Sequence, residues 1–164
     1  MIKFRENEEY GDSLNRYFYE ENNKFTRNIT FQITDDCNLC CSYCYQHNKG
    51  HHKMPFEVAK KLIDEILTND KSINNYVKSE NAIGIVLEFI GGEPFLEVDL
   101  IDKIIDYFIE KCIILHHPWI DRFRVSICSN GVLYFTPKVQ KFLNKWKGKI
   151  SFSVTIDGNK ELHD

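Results

Sequence analysis

Four runs along this chain pair an apolar with a polar face, and each of the first three is followed by a helical period; that repeat limits the fold more than any other feature. Ile29, Phe31 and Ile33 alternate with Thr30, Gln32 and Thr34; Phe123, Val125 and Ile127 alternate with Arg124, Ser126 and Cys128. Ile83 to Ile90 forms a further run, and Ile150, Phe152, Val154 and Ile156 alternate with Ser151, Ser153, Thr155 and Asp157. Successive side chains of a strand point to opposite faces, so each run has an apolar and a polar face. A strand covered by helices on both faces would be apolar throughout. The pattern predicts an α/β fold of about four parallel strands, with helices on one side and a curved hydrophilic face on the other.

The intervening helices carry their own signals. Pro55 sits near the first turn of a helix with Val58, Ala59, Leu62, Ile63 and Ile66 along one face. Asp99 is the expected N-cap of a second, whose buried side holds Leu100, Ile101, Ile104, Ile105, Phe108, Ile109, Cys112 and Ile113. Thr136 and Pro137 open a third, with Val139, Phe142, Leu143 and Trp146 inward and Gly148 as its stop. Cys112 reads as a small core residue. Residues 1–28 are polar and tyrosine-rich without a clean period, and are expected to form an N-terminal extension outside a core domain spanning 29–164.

The first strand runs into Cys37-Asn38-Leu39-Cys40-Cys41-Ser42-Tyr43-Cys44, at the strand end where α/β folds collect their active sites. Cys37, Cys41 and Cys44 are spaced by three and then two residues, so one tight loop can present three thiolates together. A four-iron cube normally takes four cysteines, and a three-cysteine loop leaves one iron open to another ligand. Zinc is the competing reading, because Cys40 makes the stretch divisible into two CxxC pairs. Zinc-ribbon pairs are separated by roughly 12–20 residues, whereas Cys40 and Cys41 are adjacent. Disulfides are disfavoured by the crowding of these cysteines and by the lack of a signal-peptide pattern. His47, His51 and His52 read as a solvated loop.

With this spacing, and with Tyr43 just before the third cysteine, the sequence from about Ile29 onward resembles the radical S-adenosylmethionine (SAM) enzymes. The resemblance implies a 4Fe-4S cluster held by Cys37, Cys41 and Cys44, with SAM chelating the open iron through its amino and carboxylate groups. An external electron donor then drives reductive cleavage of SAM to a 5′-deoxyadenosyl radical. It further implies that Gly91, Gly92, Glu93 and Pro94, after the second strand, hold the methionyl amino group. Ser129 and Asn130, after the third, match positions that contact the ribose or methionyl carboxylate of SAM. An Asn-Gly turn is true of Asn130-Gly131 in any case.

The run Ser153-Val154-Thr155-Ile156-Asp157-Gly158, with His163-Asp164 after it, resembles the branch of peptide maturases that carry a C-terminal SPASM domain, most of all maturases of cysteine-repeat (CXXX-type) peptides. That likeness adds Ser153 and Asp157 to the cofactor-binding set, beside Tyr43 of the radical SAM cysteine motif, and implies a ribosomally made, cysteine-rich peptide as substrate. The implied fold is a partial (β/α)6 barrel, which at roughly 30 residues per unit needs about 190 residues. Four strands occupy everything after Ile29 here, so the later units and the SPASM domain are expected to be missing, and a partner chain is one way to supply them. Two other classes stay open: a remnant that binds cluster and SAM without turning over a peptide, and a non-enzymatic zinc module.

Composition narrows the partners. Acidic residues outnumber basic ones by 24 to 21 with no basic run, which argues against a nucleic-acid backbone. No apolar stretch reaches the ~20 residues that span a bilayer, so a soluble, cytoplasmic protein without a membrane partner is expected. Reduced thiols and a low-potential cluster suit a reducing compartment.

Overall fold

The computed structural model describes residues 25–46, 50–68 and 82–155. Strand β1 (Phe25–Thr34) is followed by helix α1 (Phe56–Thr68), strand β2 (Ala82–Gly91), helix α2 (Val98–Ile114), strand β3 (Phe123–Ser129), helix α3 (Pro137–Lys145) and strand β4 (Ile150–Val154). Short 3₁₀ turns, Pro94–Glu97 and Pro118–Ile120, precede α2 and β3. The four strands lie side by side in chain order, every neighbouring pair parallel. Consecutive βα units are expected to give this order.

The sheet is two-faced, as the alternation requires. Phe31, Ile33, Ile85, Leu87, Phe89, Val125 and Ile127 are buried against the helices, with Phe31 and Phe89 stacked at 5.3 Å. From α1 come Ala59, Ile63, Ile66 and Leu67; from α2 come Ile101, Ile104, Ile105, Phe108 and Cys112. Helices α1 and α2 are also tied through Asp64, which accepts from Tyr107 Oη at 2.7 Å and pairs with Lys111 at 2.9 Å. Asp102 joins α2 to α3, accepting from Trp146 Nε1 at 2.7 Å and from Lys145 Nζ at 2.8 Å. On the opposite face, Thr30, Glu88, Ser126 and Ser151 form one row across all four strands. Thr30 Oγ1 donates to Glu88 within that row at 2.6 Å.

Several boundaries differ from the sequence expectation. Strand β1 begins at Phe25, ahead of Ile29, because Thr26, Arg27 and Asn28 pair with Gly84, Ile85 and Val86. An edge strand can be made by pairing alone, without the apolar signal that burial leaves. Val58 and Ile113 are 53% and 58% exposed, so both lie outside the apolar stripes assigned to them. Asp99 is not an N-cap: the Pro94–Glu97 turn runs directly into α2, leaving Asp99 in the first helical turn, where it pairs with Lys138 at 2.7 Å. Helix α3 starts after Thr136, with Pro137 in its first turn, and Gly148 takes φ of 84° beyond its end. Ile156 and Asp157 lie outside the described residues, as do His47 and most of the N-terminal extension.

Candidate metal and cofactor site

At the C-terminal end of the sheet, three chain segments meet around a cavity of about 480 Å³. Cys37, Cys41 and Cys44 line it from one side; Gly91, Gly92, Ser129 and Asn130 line it from the other. The cysteine loop is closed by a turn in which Cys44 N donates to the Cys41 carbonyl at 3.1 Å. Tyr43 lines the cavity and is 42% exposed, whereas Cys40 is exposed and takes no part in the wall. Among the described residues no three His, Cys, Asp or Glu side chains converge on a single-ion site. The three thiols line one cavity, as one thiolate per iron of a cube requires.

The two glycines serve the protein's own backbone. A Cβ on Gly91 would lie 2.5 Å from the Thr34 carbonyl oxygen, and one on Gly92 would lie 2.6 Å from that of Asp35 and nearer still to that of Asp36. This closeness allows Gly92 N to donate to the Thr34 carbonyl at 2.9 Å and Glu93 N to the Asp36 carbonyl at 2.8 Å. The Gly-Gly-Glu-Pro turn is thereby stitched to the backbone that enters the cysteine loop. The absence of side chains is thus required whether or not a ligand is present.

Glu93 is fully buried and does not line the cavity. Its Oε1 accepts from Phe95 N and from Ser129 Oγ, both at 2.9 Å, and its Oε2 accepts from Asn130 N at 2.8 Å. One carboxylate therefore closes the 3₁₀ turn after β2 and fixes the end of β3. Ser129 is 3% exposed and also accepts from Gly131 N at 2.9 Å, so its hydroxyl is committed within the same knot. Pro94 is buried in the turn's first position. Asn130 reaches the cysteine loop: Nδ2 donates to Asn38 Oδ1 at 2.7 Å and lies 3.7 Å from Cys37 Sγ.

Ser153 pairs in register with Cys128 but is not part of the cavity wall; Thr155 takes that place. Cys128 also lines the cavity, its Sγ 3.6 Å from Thr155 Oγ1. The alternation already put Cys128 and Thr155 on the polar face, so the missing information was their height along the strand, which the register supplies. His51 is 93% exposed and contacts Asp36 at 2.5 Å, consistent with a solvated loop. Asp157 lies outside the described residues.

Residues 26–159 match the family model described as a 4Fe-4S single cluster domain. An uncharacterized protein of Methanocaldococcus jannaschii is 38% identical over 81 residues, covering 49% of this chain and 24% of that protein. The radical SAM cyclopropyl synthase TigE of Paramaledivibacter caminithermalis is 25% identical over 134 residues, covering 76% of this chain and 26% of that protein. Among solved structures, native anSMEcpe with bound AdoMet and Kp18Cys peptide superposes with a TM-score of 0.60 at 23% identity, over 84% of this chain and 34% of that one. The chain thus spans about a quarter of the length of the curated relatives it matches. The parallel half-sheet, its three-cysteine loop and the family match over most of its length agree: the chain belongs to the 4Fe-4S single cluster domain family, within the radical SAM superfamily of peptide-maturase-like proteins.

Proposed function

We propose that this chain is the cofactor-binding part of a radical SAM enzyme that modifies a ribosomally made, cysteine-rich peptide. The 4Fe-4S cluster and SAM are the cofactors of its family. Cys37, Cys41 and Cys44 would hold the cluster, and the cavity backbone at Gly91 and Gly92, with Asn130, would hold the methionyl end of SAM. When bound, these groups supply an electron that cleaves the sulfonium and a 5′-deoxyadenosyl radical that takes hydrogen from substrate.

The carrying observation is that the three thiols and the Gly-Gly turn share one cavity, and that hydrogen bonds through Glu93 and Asn130 join the turn to Cys37 and Asn38 of the cysteine loop. Glu93 fixes Asn130, and Asn130 fixes Asn38 beside the first cysteine, so the two halves of the cavity are held in register by the protein. The peptide is supported by the Kp18Cys peptide bound in the anSMEcpe structure that this chain resembles and by the polar inner face alongside the cavity.

The test is anaerobic reconstitution with iron and sulfide, then SAM and dithionite, with 5′-deoxyadenosine as the readout. Formation of 5′-deoxyadenosine is expected; cluster without cleavage would reduce the chain to a cofactor-binding remnant, and bound zinc without cluster would overturn the reading. Cys37→Ala, Cys41→Ala and Cys44→Ala are each expected to abolish cluster binding, and Cys40→Ala to retain it. Equal iron loss from Cys40→Ala would revive the two-pair zinc arrangement.

A further inference from the structure

At the opposite end of the sheet, below the N-terminal ends of the strands, lies a second cavity of about 770 Å³ that the radical chemistry does not use. Its size lies in the roughly 300–1,000 Å³ range of small-molecule and cofactor sites. Arg27, Arg122, Arg124 and Lys149 line it, and Asp121 is the sole carboxylate in its wall among the described residues. In a chain with more acidic than basic residues, this is a concentration of positive charge.

Outside the cleft, six lysines of the described residues are matched with carboxylates, among them Lys111 with Asp64, Lys138 with Asp99 and Lys145 with Asp102 and Asp106, while Lys103, Lys141 and Lys147 stand singly and outside this cavity. Arg122, Arg124 and Lys149 form no ion pair among the described residues. Lys149 is nonetheless held in place, donating to the Asp121 carbonyl at 3.0 Å and lying 4.7 Å from the Phe123 ring centroid. Thr26 Oγ1 is buried at the same cavity without a hydrogen-bond partner. Such a hydroxyl carries a cost unless something occupies it.

The cations run from β1 to the start of β4. Three strand spacings of about 4.8 Å separate those ends, roughly 14 Å in all. One small anion cannot bridge that span, whereas an extended segment with several carboxylates can. Ser126 and Ser151 add hydroxyls to the wall between them.

We propose that this cleft binds an acidic stretch of the peptide on which the enzyme acts, outside the part that reacts. The proposal rests on the peptide-modifying reading above. It assigns the two ends of one sheet separate tasks, chemistry at the cysteine loop and capture of the peptide by charge at the other end. Opposite charges in a cleft raise both affinity and encounter rate, and salt weakens them.

Fluorescein-labelled hexaglutamate, followed by anisotropy against the reconstituted full chain, tests this. Hexaglutamate is expected to bind, and to bind at least tenfold more weakly in the presence of 0.5 M salt or with R122E/R124E. Hexaglutamine of the same length is expected not to bind. Lys138→Glu, a charge reversal on the helix side, is expected to leave affinity unchanged, and the milder Arg124→Gln to lower it partway if the double variant folds poorly. Equal binding of hexaglutamine, unchanged affinity in both cleft variants, or displacement by inorganic phosphate at the same carboxylate-equivalent concentration would overturn the proposal. Formation of 5′-deoxyadenosine without peptide is measured in parallel. Its loss with hexaglutamate binding intact would overturn the functional reading and, with it, the identity of the acidic peptide as the enzyme's substrate; 5′-deoxyadenosine formed without hexaglutamate binding would overturn the cleft alone.

Discussion

Glu93 shows how a motif residue can be legible by position while its partners within the protein are not. The Gly-Gly-Glu-Pro run marked the end of β2, and its likeness to the radical SAM motif put the glutamate on the methionyl amine. In the structure the carboxylate is buried beneath the cavity floor with three protein donors on it. Nothing local could show this, because two of those donors come from Ser129 and Asn130, far along the chain. Glu93→Gln puts an amide opposite donors, and is expected to cost about 1–3 kcal/mol of stability in denaturant titrations, since buried donors lose their acceptor. It should also weaken SAM binding by loosening Asn130; unchanged stability would mean that the knot is dispensable. Cys112 was read correctly as core, since a thiol at a helical apolar position needs no further explanation. Burial pushes its thiol up to about 12, so native protein is expected to leave Cys112 unlabelled by iodoacetamide while exposed Cys40 reacts, as peptide mass mapping would show.

Elements were the most legible scale, and for one physical reason. Strands β2 and β3 and the inner halves of the helices bury their apolar faces, and burial is what writes a period into sequence. Where an element forms by pairing or by continuation of a turn, as in Phe25 to Asn28 or the Pro94–Glu97 turn, the period is absent and the boundary moves. The turn after α2 is a related case. His117 is 8% exposed, and its Nδ1 accepts from Trp119 N at 3.2 Å, closing the Pro118–Ile120 turn. Desolvation by burial lowers its pKa from the ordinary 6.5. The unfolded chain therefore binds the proton first as pH falls, so His117 supports the fold above about 6.5 and that support is lost as pH drops through the lowered folded value. Urea midpoints are expected to fall between pH 7.5 and 5.5 in the native chain and to fall less in His117→Gln. Identical pH slopes would remove His117 as the cause.

The whole molecule is a helix-backed half-sheet with a polar face, and that architecture followed from one-sided alternation together with the cysteine loop. Its edges are unequal. Strand β1 is laced near its end by Met54 N donating to the Ile33 carbonyl and Asp35 N to that of His52, at 2.8 and 2.9 Å. Strand β4 pairs with β3 alone among the described residues, and its Val154 is 43% exposed. Natural edges usually carry charge, proline or a cover, and β4 has neither charge nor proline within Ile150–Val154. Amides 150–154 are expected to exchange hydrogen faster than 85–89 of β2, and the chain alone to self-associate with rising concentration in sedimentation. A monomer with β4 protected as well as β2 would show that this edge is covered. The central claim is that three cysteines leave one iron open beside the Gly-Gly turn and Asn130. Electron paramagnetic resonance of the reconstituted, reduced chain with and without SAM tests it most directly. A spectrum whose g values shift on addition of SAM is the predicted result, because SAM then becomes a ligand of the cluster; a spectrum unchanged by saturating SAM would contradict it.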